Sequence, residues 1–123
     1  MNKSDFYEWG EKFGSAWSRL DVEGALAMLS KDVEYYESNF SPACSSWEEV
    51  VKLWEVVPRN QKNVVFNHEV IVVEGDFGCI RWQVSRDLIS TGKHQKIDGI
   101  FIIQLNSKGL CTIFRQWRSV VEG

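Results

Sequence analysis

The sequence predicts an α+β domain, with helices first and an antiparallel sheet after them. In three stretches before Pro58, large apolar residues recur at steps of three and four, the spacing of one helix face. From Asn63 onwards the spacing changes to two, which is typical of strands, and short turns containing glycine separate these strands. This order indicates helices packed on one face of a curved sheet. The length of 123 residues suits one domain, which we place at residues 1–123.

Three helices are predicted in the first half of the chain. The second begins at Asp21, a good N-cap, and ends near Ser30. The third begins at Ser46–Glu49, whose Ser-x-x-Glu order is a capping box, and Pro58 stops it. The first helix carries an apolar face formed by Phe6, Trp9, Phe13, Trp17 and Leu20.

Five strands are predicted, one of them between the second and third helices. This first strand, Asp32–Ser38, is a short run of β-branched and aromatic residues. The others follow one another through tight turns and form an antiparallel meander. These four strands are Asn63–Glu74, Gly78–Ile89, His94–Leu105 and Leu110–Val121.

Composition and charge exclude several classes of partner. The net charge is −3 and the basic residues are scattered singly, so we expect no nucleic-acid partner. No apolar run reaches the ~18 residues of a membrane span, and the first residues form no apolar signal segment. Three cysteines without a Cys-x-x-Cys pair suit a reducing compartment. We therefore expect a cytoplasmic protein that does not bind membranes.

Motifs for metal, phosphate or nucleophilic chemistry are absent from the sequence. His68 and His94 lie on different predicted strands without metal-ligand spacing. Gly92-Lys93 lacks the other residues of a phosphate loop, so it predicts a hairpin turn. There is no Gly-x-Ser-x-Gly string and no Cys-His arrangement. The sequence therefore predicts no metal site and no cofactor.

The strand Gly78–Ile89 has two unlike faces. Arg81 and Gln83 lie on one face, whereas Trp82 lies on the other with two aliphatic neighbours. The following strand is apolar on both faces, which predicts burial on both. Because the helices cover one face, we expect a second copy of the chain to cover the other, in a homodimer. Four large apolar residues are candidates for this contact: Trp82, Ile100, Ile102 and Trp117.

Five short strings, spread over nearly the whole chain, carry a family resemblance. They are Leu20–Leu26, Asp32–Tyr36, Val73–Asp76, Ile97–Leu105 and Phe114–Trp117. Together they resemble the SnoaL-like branch of the NTF2-like superfamily. This resemblance implies a cystatin-like cone, in which three N-terminal helices pack in a strongly curved antiparallel sheet around an apolar pocket, usually in a homodimer. It does not specify an activity, because the fold hosts isomerases, cyclases, hydrolases and non-catalytic modules.

Limonene epoxide hydrolases of this superfamily have carboxylates where the present chain has amides. Their arginine matches Arg81, their two acids match Gln83 and Gln116, and a tyrosine of that family falls near Tyr36. Glutamine accepts and donates hydrogen bonds but cannot take up a proton near neutral pH. The resemblance therefore implies a pocket in which Arg81 and the amides meet a polar group, without the hydrolase mechanism.

Ketosteroid isomerases and related cyclases suggest a different set of candidates. Their sheet acid falls on Phe101, whereas the general base of the isomerases falls near Glu37. One residue of register decides whether Tyr36 or Glu37 faces the pocket, and both alternatives stay open. Glu34 and His68 are further candidates for proton transfer, the histidine because it titrates near neutral pH.

The predicted function is a pocket for a small, mostly apolar molecule with one polar or anionic group. Two alternatives stay open: a small-molecule isomerase, cyclase or hydrolase that uses Glu37 or His68, and a non-catalytic dimeric binding module. The polar contacts are expected from Tyr36, Arg81, Gln83 and Gln116. The apolar walls are expected from Phe13, Trp17, Trp54 and Phe101.

Overall fold

The computed structural model describes residues 1–38 and 40–122, and it confirms the predicted α+β arrangement. Helices and strands follow one another in the expected order. The helices are α1 (Lys3–Ser18), α2 (Val22–Leu26), α3 (Trp47–Glu55) and α4 (Val57–Asn60). The strands are β1 (Leu29–Tyr36), β2 (Gln61–Glu74), β3 (Phe77–Leu88), β4 (His94–Leu105) and β5 (Cys111–Glu122).

The strands form one curved sheet in the order β1-β5-β4-β3-β2. The last four strands make the predicted antiparallel meander. β1 joins the sheet beside β5 and runs parallel to it, with Tyr35 opposite Phe114. The first and last strands of the described chain are therefore neighbours.

The boundary between α2 and β1 lies earlier than the sequence pattern predicts. α2 is capped by Asp21 as expected, since the Asp21 carboxylate accepts from the Gly24 N–H at 3.0 Å. The strand then begins at Leu29, opposite Cys111, rather than at Asp32. Cys111 N–H donates to the Met28 carbonyl at 3.0 Å, so pairing with β5 draws the chain into the sheet as soon as α2 ends.

β4 lies close to two neighbours at Gly99. A Cβ at this position would lie 2.7 Å from the Trp117 carbonyl oxygen and 2.7 Å from Cε2 of Trp82. Only glycine leaves room there for the neighbouring backbone and for the indole ring. Gly99 therefore allows β4 to pack closely against β5 and Trp82.

Aromatic side chains fill the space between α1 and the sheet. Phe6, Trp9 and Phe13 of α1 are buried, and Trp9 stacks on Phe13 with ring centroids 4.7 Å apart. Phe13 meets Phe101 of β4 edge to face at 5.7 Å and Phe114 of β5 at 5.8 Å. These rings are the main contact between the helix layer and the sheet.

Trp82 belongs to this core, so its assignment to a subunit contact is wrong. The side chain is 0% exposed, stacks on Phe101 at 4.8 Å and lies 5.4 Å from Trp17. Ile80, Trp82 and Val84 form the apolar side of β3, and the burial of all three places that side against the helices. The polar side of β3 is therefore the outer one.

Candidate functional site

A cavity of about 180 Å³ lies between α1, α3, α4 and the inner face of the sheet. Phe13, Trp17, Trp54 and Phe101, the four residues predicted as apolar walls, all line it. Trp54 meets Phe13 edge to face at 5.2 Å and Trp17 at 6.1 Å. The structure brings these rings together, whereas their contact with a ligand stays a prediction.

Gln116 lies in the same cavity, as predicted, and is only 6% exposed. Its Nε2 donates to the backbone carbonyl of Glu37 at 2.6 Å. The amide thus joins β5 to the residue that follows β1. A carboxylate could not make this bond, because an ionised carboxylate only accepts hydrogen bonds.

The register of the first strand places Tyr35 and Glu37 in the cavity. Tyr36 points to the opposite side of the sheet, where the guanidinium of Arg115 lies 4.4 Å from the centre of its ring. Tyr36 as a pocket residue is therefore a correction, because successive side chains of a strand alternate between its faces. Glu37 is the member of the predicted pair that reaches the site.

Tyr35 takes the place expected for Tyr36. Its hydroxyl accepts a hydrogen bond from Trp54 Nε1 at 3.2 Å, and its ring stacks on Phe114 at 4.5 Å with nearly parallel planes. Burial, and then the negative charge of Glu37, raise the pKa of Tyr35 well above its usual value. The hydroxyl is consequently neutral at physiological pH.

Arg81 and Gln83 are not in this cavity, contrary to the prediction. Both are exposed on the outer face of β3, where Arg81 Nη2 lies 2.8 Å from Asp98 Oδ2 and Nε donates to Asp98 Oδ1 at 3.2 Å. Glu69 lies 3.8 Å away on the other side of the guanidinium. The reason is the alternation of β3: because Trp82 faces the helices, its neighbours must face outwards.

Arg86 lines the cavity instead and was not singled out from the sequence. It lies on the same side of β3 as Trp82 and is half-buried, with Nε and Nη2 donating to Gln95 Oε1 at 3.0 and 2.9 Å. Burial, and then the positive charge of Arg118, lower the pKa of Arg86. Among the described residues, no carboxylate lies within salt-bridge distance of this guanidinium.

Arg118 is the second cation of the cavity that the sequence analysis missed. It lies two residues after Gln116 and therefore on the same face of β5. Its Nη1 lies 3.3 Å from Glu37 Oε1, so this arginine is paired. Arg86 would have followed from the alternation of β3, had the inner face of that strand been assigned correctly, whereas Arg118 shares the face of β5 that was already assigned to Gln116.

His68 and Glu34, the other candidates for proton transfer, lie elsewhere. His68 packs against α1, where its ring stacks on Tyr7 at 4.7 Å and Nε2 lies 3.2 Å from the Tyr7 carbonyl oxygen. Gly10 leaves the space that this ring occupies. Glu34 is exposed on β1. His68 therefore packs between β2 and α1, and Glu34 lies at the surface, so neither residue reaches the cavity.

The outer face of the sheet keeps three of the four residues proposed for a subunit contact. Ile100 and Trp117 are register partners on β4 and β5 and are 40% and 38% exposed. Ile102 is half-buried on the same face. The homodimer itself stays a prediction.

Residues 1–38 and 40–122 contain no group of three His, Cys, Asp or Glu side chains placed to hold a metal ion. Over the same residues, every helix is too short or too polar to cross a bilayer.

Comparison of the fold with solved structures gives extensive matches at low sequence identity. A computationally designed 17-OHP binder aligns with a TM-score of 0.79 and 18% identity, over 95% of this chain and 96% of its own. A ketosteroid isomerase-like protein from Erwinia carotovora atroseptica aligns with a TM-score of 0.75 and 15% identity, over 97% and 95%. The Delta 5-3-ketosteroid isomerase from Mycobacterium sp. aligns with a TM-score of 0.77 and 11% identity, over 95% and 98%. These matches show the fold alone.

Comparison by sequence gives the family. A search among curated proteins found no match. The SnoaL-like domain family, in contrast, matches residues 11–113, which include the second half of α1, the other helices, the first four strands and the start of β5. The chain belongs to the SnoaL-like family, and its structure has the α+β arrangement of helices on a curved sheet that the resemblance implied.

Proposed function

We propose that this chain binds a small, mostly apolar molecule with a single anionic group, and that Arg86 meets this group. The observation that carries the proposal is the half-buried guanidinium of Arg86, whose hydrogen bonds within the described residues go to a neutral amide. Removing a cation from water is costly unless an opposite charge compensates it. An anionic ligand would supply that charge.

The lining of the cavity supports an apolar body for this ligand. Six aromatic rings surround the space beside the arginines: Phe13, Trp17, Tyr35, Trp54, Phe101 and Phe114. Binding sites for small molecules commonly combine apolar walls with a few polar groups that fix orientation.

The volume supports a ligand of about one ring. The cavity of about 180 Å³ is smaller than the roughly 300 to 1,000 Å³ of sites for drug-sized molecules. Aromatic and short aliphatic carboxylates fit this description. A ligand with several fused rings would require the walls to move.

Calorimetric titration with matched probes tests the proposal. Phenylacetate and its neutral amide, phenylacetamide, share a shape and differ by one charge. We expect phenylacetate to bind more tightly, and Arg86→Gln to weaken it by roughly 10- to 100-fold, the effect of losing a charge-assisted hydrogen bond of about 1.5–3 kcal/mol. Phenylacetamide should be little affected by this substitution.

Arg81→Gln is the matched control, because it removes the same charge from the outer face of the same strand. Its affinity for phenylacetate should equal that of the unmodified chain. Equal binding of acid and amide, or an equal loss in the two arginine variants, would contradict the proposal.

A second candidate function is proton transfer by Glu37. The supporting observation is that this carboxylate lines the cavity, 3.3 Å from Arg118 Nη1, where it can accept a proton from a bound molecule. In this case the chain would be an isomerase, cyclase or hydrolase acting on the bound molecule. Gln116 would take no part in the proton transfer, because an amide does not titrate near neutral pH. Its role would be to orient the substrate.

Exchange of the α-hydrogens of phenylpyruvate in D₂O, followed by NMR, tests this candidate. We expect the chain to accelerate the exchange and Glu37→Gln to remove about 10²- to 10⁴-fold of that acceleration, the usual contribution of a general base. Unaltered acceleration in Glu37→Gln would exclude Glu37 as the base.

A further inference from the structure

We infer that Glu37 makes the cavity selective for singly charged anions over doubly charged ones, because it neutralises one of the two arginines. This inference rests on the proposed function and specifies how many negative charges the ligand carries. It assigns Glu37 a role in specificity that is separate from any role in proton transfer.

The charges of the cavity are the first argument. Among the described residues that line it, Arg86 and Arg118 are positive and Glu37 is negative. Tyr35 is neutral. The site therefore presents one uncompensated positive charge. A monoanion balances it, whereas a dianion leaves a negative charge in a partly desolvated space beside the Glu37 carboxylate.

The fixed position of Glu37 is the second argument. Its backbone carbonyl accepts the 2.6 Å hydrogen bond from Gln116 Nε2, and its carboxylate lies 3.3 Å from Arg118 Nη1. Tyr36 is paired with Arg115, which fixes the register of β1 relative to β5 just before Glu37. The Glu37 side chain is 34% exposed, so protein covers most of it. Glu37 therefore acts as a built-in anion that Arg118 already holds.

The accessibility of Arg86 completes the argument. Its guanidinium is on β3, whereas Glu37 follows β1 and Arg118 is on β5, and it donates only to Gln95 among the described residues. It is the cation left for a ligand. A second ligand charge would have to compete with Glu37 for Arg118, and two negative charges at close range in an environment of intermediate dielectric constant repel each other by enough to lower affinity roughly tenfold or more.

A pair of probes that differ only in charge tests the inference. Benzenesulfonate and phenylphosphonate carry the same ring and a tetrahedral group with three oxygens, and above the second ionisation of the phosphonate they have one and two negative charges. In calorimetric titrations at such a pH, we expect the unmodified chain to bind benzenesulfonate about tenfold more tightly or better. In Glu37→Gln, which keeps the size of the side chain, we expect this ratio to shift towards phenylphosphonate by at least about tenfold.

Glu69→Gln is the matched control, since it removes the same charge from the outer face, beside Arg81. Its ratio should equal that of the unmodified chain. An unchanged ratio in folded Glu37→Gln, or an equal shift in Glu69→Gln, would overturn the inference. Circular dichroism verifies that each variant is folded.

Arg118→Gln gives an independent test if Glu37→Gln does not fold. It leaves one cation and one anion in the cavity, so both probes should bind more weakly and phenylphosphonate should lose more. An equal loss for the two probes would overturn the inference. If the unmodified chain binds neither anion more tightly than neutral benzenesulfonamide, the proposed function fails together with this inference. If it binds both anions more tightly than the sulfonamide but equally well, only this inference fails.

Discussion

Tyr35 joins β1 to α3 inside the cavity, and its burial has a consequence at alkaline pH. The raised pKa means that the hydroxyl stays protonated in the folded chain above the ordinary value of 10.0, whereas the unfolded chain ionises there. The stabilising contribution is fully present below that value. It is lost as the pH rises through the pKa of the folded chain, so the free energy of unfolding should fall over this range.

Tyr35→Phe should remove this alkaline loss. It should also destabilise the chain by about 1–3 kcal/mol at neutral pH, because Trp54 Nε1 loses its hydrogen-bond acceptor in a buried position. Urea denaturation below and above pH 10.0 measures both effects. Tyr36→Phe, on the other face of β1, is the control and should keep the alkaline loss. The same loss in both variants would contradict the assignment.

Single residues show how far the sequence alone could lead. The structure brings Gln116, which was placed from the family resemblance, and the four aromatic walls to one cavity, whereas their contact with a ligand stays a prediction. Tyr36 was placed on the wrong side, because a shift of one residue reverses a strand side chain and the short first strand has few apolar residues to fix its register. Arg86 was missed for a related reason, since the faces of β3 were reversed, whereas Arg118 could have been identified from the face that it shares with Gln116.

At the scale of elements, the close packing of β4 against Trp82 and β5 depends on Gly99. Gly99→Ala would place a methyl group 2.7 Å from the Trp117 carbonyl oxygen and from Trp82, so strand or indole must move. We expect a loss of about 1–3 kcal/mol in the free energy of unfolding, typical of overpacking. Chemical denaturation measures it. Ser119→Ala, at an exposed position on β5, should change stability little. A similar small change in Gly99→Ala would show that this packing tolerates a side chain.

The two faces of β3 explain why the element could be predicted but its orientation could not. Alternation identified the strand, yet it left open which side meets the helices. The expectation of a subunit contact assigned Trp82 outwards, and the resemblance to limonene epoxide hydrolases assigned Arg81 inwards. Burial of Ile80, Trp82 and Val84 reverses both assignments. The more economical rule, that the apolar side of a strand faces the helices of its own chain, would have given the observed orientation.

At the scale of the whole molecule, the outer face of the sheet leads to a prediction about association. Ile100 and Trp117 stand side by side there, partly exposed, next to the ion pair of Arg81 and Asp98. We propose that a second copy covers this face. The double substitution Ile100→Glu and Trp117→Glu should convert a dimer into a monomer, as measured by light scattering over a concentration series, because two buried charges without partners oppose association.

Ile71→Glu is the control for this experiment, since Ile71 is 49% exposed on β2, the strand at the far edge of the sheet. It should leave the mass unchanged. A monomeric unmodified chain, or a dimer that survives the double substitution, would contradict the proposal.

The architecture was more predictable than the site because it depends on many residues at once. A misassigned side chain does not alter the order of helices and strands, which rests on the hydrophobic pattern of the whole chain. The site depends on a few side chains from β1, β3 and β5. Their mutual placement follows from the parallel pairing of β1 with β5, which no local sequence pattern in either strand predicts.

That contact also sets the order in which the site can form during synthesis. The hydrogen bond from Gln116 to Glu37 joins residues 79 positions apart, and the ion pair of Arg118 and Glu37 joins residues 81 positions apart. A nascent chain can fold its helices and the β2–β3 and β3–β4 hairpins early, because those contacts are local. While β5 is still in the ribosome, β1 has no neighbour in the sheet and Glu37 has no arginine to hold. The part of the cavity that Glu37, Gln116 and Arg118 line is therefore among the last features to form, and until then the aromatic side chains of α1 lie against an incomplete sheet.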